Sequence, residues 1–457
     1  MAQEIRKLAH FVRSFHLDQL PDGALNAVKY CVLDNLGAAL GAASSQEIAA
    51  IGQEYLNWCG TGSNGKSAAA WCQGYRTSLS SALLLNGMMA HDLELDDVHT
   101  GSKSHVGAVV IPTAWTVADA IGADGRAFLE AVIVGYEVMS RVGLGMDVAS
   151  NRKRGWHTTG VIGTFGAAAA AARLLDLSED QIVSAFGMAG TQSSGLWAFL
   201  AEGSTCKKLH PARAATNGLS ACFLAQSGMT GPEHILDAAD GGLYQAVSDR
   251  FDMAKICQGL GQDYAFLAMD KKPYPCCRTT HHAIDAALQL HDTEHLHPED
   301  IASVLVETYD IGVLQCGFSK YPETPVEAKF SIPFTCAVAF VYGQVSLREF
   351  SMETIDNPEV ARIAKATRVV GSDLFTTRYP KRWGSRTTVT MADGQTFSCQ
   401  IDDMSGSVSV PLSARQEQIK FLGLAEAFFS KEAATTLMDS ILKIETFSCL
   451  PDLSIRR

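Results

Sequence analysis

The chain has 457 residues, 47% hydrophobic and 19% charged, the make-up of a soluble globular enzyme long enough for two domains. Its formal net charge of -12 argues against a nucleic-acid partner, which would need a basic stripe, and none is present. No run reaches the roughly 18 apolar residues of a membrane span, and the N-terminus, MAQEIRKLAHF, lacks the apolar stretch of a secretory signal. Twelve scattered cysteines, mostly in apolar contexts, point to a reduced cytoplasmic protein rather than a disulfide framework. The adjacent pair Cys276-Cys277 has no second CxxC partner, which argues against a zinc site.

In chain order, Ile5, Leu8, Val12 and Phe15 mark a first helix. Pro21 opens a second, with Leu25, Val28, Val32, Leu36 and Leu40 as its buried stripe. A third is expected over 46–58. The loop Gly60 to Ser67 (GTGSNGKS) has a phosphate-loop flavour but neither its spacing nor a preceding strand. Helices follow at 78–89, 110–122, 125–142 and 179–190. Between the last two, six alanines from Ala167 to Ala172 suit a helix at the centre of a helical domain. A small-residue segment, TQSSGLW, precedes another long helix ending at Gly228. No alternating strand is expected before about residue 268.

The pattern changes at Lys271. A helix over 280–291 leads into IASVLVETYD, where Val304, Val306 and Thr308 alternate as in a half-buried strand. A helix is expected over 326–341, with Pro333 as its start or a kink, and two more over 348–354 and 357–366. SRTTVTMADGQTFSCQI reads as a hairpin turning at Asp393-Gly394, and 413–444 returns to helix. The expected fold is mainly α. Residues 1–268 and 405–457 form an all-helical body domain, and 269–404 an inserted smaller α+β lid domain.

The stretch His91 to His105, HDLELDDVHTGSKSH, holds three histidines and four carboxylates between two apolar segments. Burying such groups is costly unless they are paired. It reads as a divalent-metal site, a capped solvated loop, or a metal-free acid–base site; no HExxH or CxxC-type spacing favours the metal. His157 sits near a helix start, where anions are favoured. Lys207, Lys208 and His210 lie before Pro211, and Arg278 and His281 follow the Pro-Cys-Cys segment. Together these loops suit a substrate with several carboxylates, held by cations while a base removes a proton alpha to one of them.

The order of these segments resembles the MmgE/PrpD family over nearly the whole chain. The match lies in His91, Asp96, Asp97, His99 and His105 to Pro112, in Gly155 to Thr159 (GWHTT), Thr205 to His210, Tyr274 to His281 and Glu327 to Ile332. The family includes 2-methylcitrate dehydratase, cis-aconitate decarboxylase and iminodisuccinate epimerase. The resemblance implies a homodimer without metal or organic cofactor. It places the active-site acid on Glu94, where the decarboxylase has aspartate. It places histidines on His105 and His157, the former after a loop one residue longer than in the decarboxylase, and the anion-binding lysine on Lys207. Cys277 stands where the decarboxylase has a histidine and an epimerase-like member has cysteine; Val98 replaces a polar residue.

The expected catalytic residues are therefore Glu94, His105, His157 and Lys207, and the expected substrate contacts Asp97, Lys207, Cys277 and Arg278. Lys207 and Arg278 would hold carboxylates, His157 or His105 would move the proton, and Glu94 or Asp97 would orient a histidine. The expected reaction is a cofactor-independent, 2-methylcitrate dehydratase-like lyase reaction on a small di- or tricarboxylate. The alternatives are a dicarboxylate epimerase, cis-aconitate decarboxylation, and a non-catalytic polycarboxylate binder.

Overall fold

The computed structural model describes residues 3–61, 66–318 and 320–455. It is mainly α, and its chain divides into two compact units. The first comprises Met1–Trp197, Cys206–Met269 and Ser413–Arg457; the second comprises Ala198–Thr205 and Asp270–Leu412. The expected boundaries at 268/269 and 404/405 did not include the short piece 198–205. It belongs to the second unit because Phe199 packs on Phe330, with ring centroids 5.7 Å apart, and Gly203 lies against Glu327.

The first unit is built around the helix Thr158–Leu174, whose residues Thr158 to Ala172 are all buried. A helix buried on every face has no polar side to give to solvent. Its neighbours, Gly125–Leu144 and Leu209–Gln226, approach closely because small residues line the contacts. A Cβ on Gly218 would lie 2.5 Å from Thr164 O and 2.6 Å from Ala167 Cβ, so only a hydrogen fits. The flanking helices start where the sequence supplies caps. Ser78 accepts from Ser81 N ahead of Leu79–Asp92, Asp124 from Ala127 N ahead of Gly125–Leu144, and Ser178 forms a capping box for Glu179–Gly190.

One expectation for this unit fails. Ser67–Ala70 and Tyr75–Ser78 form an antiparallel hairpin before residue 268. Its first strand is SAAA, and alanines give no alternation to read. This hairpin also ends the phosphate-loop reading of 60–67. A helix, Gln46–Cys59, precedes that segment and a strand follows it, the reverse of the required order; residues 62–65 lie outside the described residues.

The second unit holds a four-stranded sheet. Thr367–Gly371 pairs parallel with Ile301–Thr308, which pairs antiparallel with Ser385–Met391, which pairs antiparallel with Thr396–Ile401. The hairpin turns through Gly394 at φ 87°. The edge strand Thr367–Gly371 was not expected. The helix His281–Glu294 packs on the sheet, and Ile332–Tyr342 packs on that helix. Pro333 starts Ile332–Tyr342 rather than kinking it, and a separate turn, Pro325–Ala328, precedes it. No helix among the described residues is long and apolar enough to cross a membrane.

The close approach at Gly218 gives a direct test. Gly218→Ala should lower stability by roughly 1–3 kcal/mol through overpacking, read as a fall in Tm. Gly423→Ala, where nothing lies within 4 Å of the added methyl, should instead hold or raise Tm.

Candidate active site

The stretch 91–105 is not a solvated loop. His91, Glu94, Asp96, Asp97 and His99 are each 5% exposed or less. The helix Leu79–Asp92 delivers His91, and Gly107–Ile121 takes over after Val106. Between them the backbone turns through Glu94 at φ 58°, a left-handed conformation that a side chain rarely adopts. Farther along, His99 and Ser104 bond each other's backbones, and His99 Nδ1 stands 2.8 Å from Ser102 Oγ. His105 N then donates to Thr159 Oγ1 at 3.0 Å, which ties the loop to the start of the central helix. From below, Lys420 of the C-terminal helix Ala414–Ala425 donates to Leu95 O at 2.7 Å and pairs with Asp34, while Leu93 and Leu95 pack with Leu424.

Within this frame Asp96 is the pivot. Its Oδ2 stands 2.8 Å from His91 Nδ1 and 2.9 Å from His105 Nδ1. Its Oδ1 is buried with no hydrogen-bond partner among the described residues. Burial pushes the carboxyl up, but the two imidazoles outweigh it and hold Asp96 well below the usual carboxylate range. A lone pair facing this anion would be repelled, so His91, hydrogen-bonded to Asp96 through Nδ1, carries its hydrogen there.

Four imidazoles gather here. The ring centroid of His91 lies 4.6 Å from that of His105 and 6.0 Å from that of His157, which is 5.1 Å from that of His210. His157 precedes the central helix, and its Nδ1 is 3.0 Å from His210 Nδ1. Trp197 meets the His157 ring edge to face at 5.6 Å and carries the Arg152 guanidinium 4.2 Å from its own ring centroid. Burial, and then the charge of Lys207, lowers both histidines: His157 falls well below its ordinary value and His210 to about 4. Lys207, in the turn Thr205–Lys208, is ion-paired with Glu94. The neighbouring Lys208 is paired with Asp92 and Glu47 instead.

Of the residues expected from sequence, Glu94, His105, His157 and Lys207 are thus collected within the first unit. Asp97 has both oxygens engaged, Oδ1 by Gly107 N at 2.8 Å and Oδ2 by the Tyr136 hydroxyl at 2.7 Å. Burial nevertheless pushes its carboxyl up to about 7. The carboxylate nearest His91 Nδ1 and His105 Nδ1 is Asp96, where Glu94 or Asp97 was expected beside a histidine. Arg278 and Cys277 belong to the second unit. The Arg278 guanidinium donates to Asp270 Oδ2, to Ser405 O at 2.8 Å and to His281 Nδ1 at 3.0 Å, so the expected carboxylate clamp is engaged at home. Cys277 Sγ accepts from Gln315 Nε2 at 3.2 Å. His91, Asp96 and His210 were not among the expected site residues. The sequence signal for His210 was its place three residues after Lys207, one helical turn along.

His91, Asp96 and His105 offer ligand atoms within 4.8 Å of one another, as a divalent ion would need. Metal ligands present lone pairs about 2.0–2.2 Å from the ion. Here His91 Nδ1 is hydrogen-bonded to Asp96 Oδ2 at 2.8 Å, a bond that an ion at these residues would have to replace.

If Asp97 anchors the loop, Asp97→Ala should leave Gly107 N and the Tyr136 hydroxyl without acceptors at a cost of roughly 1–3 kcal/mol each. Thermal melts should show a lower Tm, and Tyr136→Phe added to Asp97→Ala should cost less than it does alone.

Models of the MmgE/PrpD N-terminal domain and C-terminal domain match residues 6–255 and 274–444. A cis-aconitate decarboxylase-like protein of Aspergillus oryzae is 26% identical over 98% of this chain and 95% of its own length. Cis-aconitate decarboxylases of Mus musculus and Homo sapiens are 25% and 26% identical, over 96% and 95% of this chain and 90% of each relative. With both domain models matched in order, the chain belongs to the MmgE/PrpD family of enzymes, and these relatives are lyases.

Proposed function

We propose that this protein is a lyase that acts on a small tricarboxylate by moving a proton next to a carboxylate. The observation that carries the reading is the pair of unlike imidazoles within one cluster. His157 is held neutral by burial and by Lys207. His105 faces the Asp96 carboxylate, whose charge offsets an imidazolium. A histidine buried beside a lysine and another facing a carboxylate are suited to act in turn as base and acid.

In this reading His157 takes the proton from the carbon alpha to a carboxylate. The electron pair left behind spreads onto that carboxylate, and Lys207 offsets the developing charge while Glu94 holds the ammonium in place. The leaving hydroxyl departs as water with a proton from His105, which Asp96 orients. The step consumes one proton and returns one. No step is routed through Cys277 or Arg278.

Loss of water is the favoured outcome because Glu94 and Cys277 stand where the decarboxylase pattern has aspartate and histidine. Decarboxylation of cis-aconitate is the second reading, favoured by the names of the relatives. Proton NMR on methylcitrate, citrate, cis-aconitate and iminodisuccinate separates them: an alkene with water lost, carbon dioxide released, or only exchange at an existing centre.

His157→Asn and Lys207→Ala should each cost about 10²-fold or more in kcat/KM; Tm should change little in the first and fall in the second, which leaves Glu94 buried without its cation. Full activity in either variant sinks the assignment. Enzyme dialysed against a chelator, and verified metal-free by elemental analysis, should keep its activity; loss restored by a divalent ion would favour the metal reading of His91, Asp96 and His105.

A further inference from the structure

The segment read from sequence only as small residues, TQSSGLW, grips two imidazoles at once. Gly195 O accepts the His157 backbone N–H at 3.0 Å. A Cβ on Gly195 would stand 3.2 Å from His210 Cγ and 3.4 Å from its Nδ1, and its φ of +105° favours glycine in any case. Two residues on, Trp197 packs on the His157 ring. One short segment therefore fixes the pair His157 and His210 relative to each other.

The bond between them joins like atoms, Nδ1 to Nδ1, at 3.0 Å. Such a bond forms only when one nitrogen carries hydrogen and the other a lone pair. Each ring then has a defined tautomer. With Nδ1 committed to His210, Nε2 is the atom His157 has left to meet a substrate.

We propose that His210 is the second member of a proton relay with His157, a positioning residue that sets the tautomer of His157 and draws off the proton it collects. The proposal rests on His157 as the base. The substrate C–H bond breaks and its electron pair stays on the substrate. The proton goes to His157 Nε2. The His157 Nδ1 proton crosses the hydrogen bond to the lone pair on His210 Nδ1, and His210 releases its Nε2 proton to water. Both rings end neutral, and one proton has passed from substrate to solvent.

Two variants separate relay from anchoring. His210→Asn keeps a hydrogen-bonding atom at the Nδ1 position but cannot pass a proton through; His210→Phe removes both functions. They are assayed on whichever tricarboxylate the wild type turns over, deuterated at the reacting carbon. The expected result for both is KM within about twofold and kcat lower by about 10²-fold, with more deuterium retained in recovered substrate, because a proton stranded on His157 returns to carbon. In ¹⁵N-histidine NMR the wild type and His210→Asn should show one His157 tautomer, and His210→Phe a mixture. Wild-type kcat and label loss in His210→Asn would overturn the relay, as would an unchanged His157 tautomer in His210→Phe. A wild type that turns over none of the acids would instead sink the reading of the site. The tautomer spectra then decide alone: a change in His210→Phe supports the coupling and no change overturns it.

Discussion

Asp96 is a fully buried carboxylate with two imidazoles within 3 Å, and the site loop is arranged to satisfy it. An uncompensated charge there would cost several kcal/mol. His91 must therefore come off its helix on the buried side, and His105, nine positions after Asp96, must return to within 3 Å of it. Asp97, next in sequence, faces the other way and fastens the loop to the starts of Gly107–Ile121 and, through Tyr136, to Gly125–Leu144. Adjacent acids thus do opposite jobs. One faces the two imidazoles, and the other holds the Gly107 backbone and the Tyr136 hydroxyl.

The crowding of ionisable groups is possible because the scaffold behind them is nearly featureless. The central helix carries alanine and glycine where most cores carry leucine, so three helices close to contact with little side-chain volume between them. Its first turn then presents His157, with Thr159 bonded to His105 N, at a fixed place. Rigid elements position reacting groups better than free loops do. Two of the four imidazoles, His157 and His210, stand at helix starts, a third, His91, lies in a last turn, and only His105 lies on the loop.

Much of the helical framework was legible because stripes such as Leu25 to Leu40 repeat with the period of a helix. The hairpin at 67–78 was not, since Ala68 to Ala70 carry no alternation. The strand Thr367–Gly371 was hidden for another reason: its role depends on a parallel partner 63 residues away. At the site, residue types and segments could be picked out, but not the assignment of partners. Three acids, Glu94, Asp96 and Asp97, compete within four positions, and only the left-handed turn at Glu94 decides which one meets Lys207 and which meets the histidines. Arg278 shows the converse. An arginine after the Pro-Cys-Cys segment suggests a ligand clamp, yet its guanidinium is bonded to Asp270, Ser405 and His281.

Lys420 donates to Leu95 O across a separation of 325 positions, and Leu424 fills the space beneath Leu93 and Leu95. During synthesis the N-terminal elements emerge first. The helices that carry His91, His157 and His210 can therefore form long before the loop holding Glu94 and Asp96 gains its floor. The loop therefore lacks this floor until the helix Ala414–Ala425 has been made and packed beneath it.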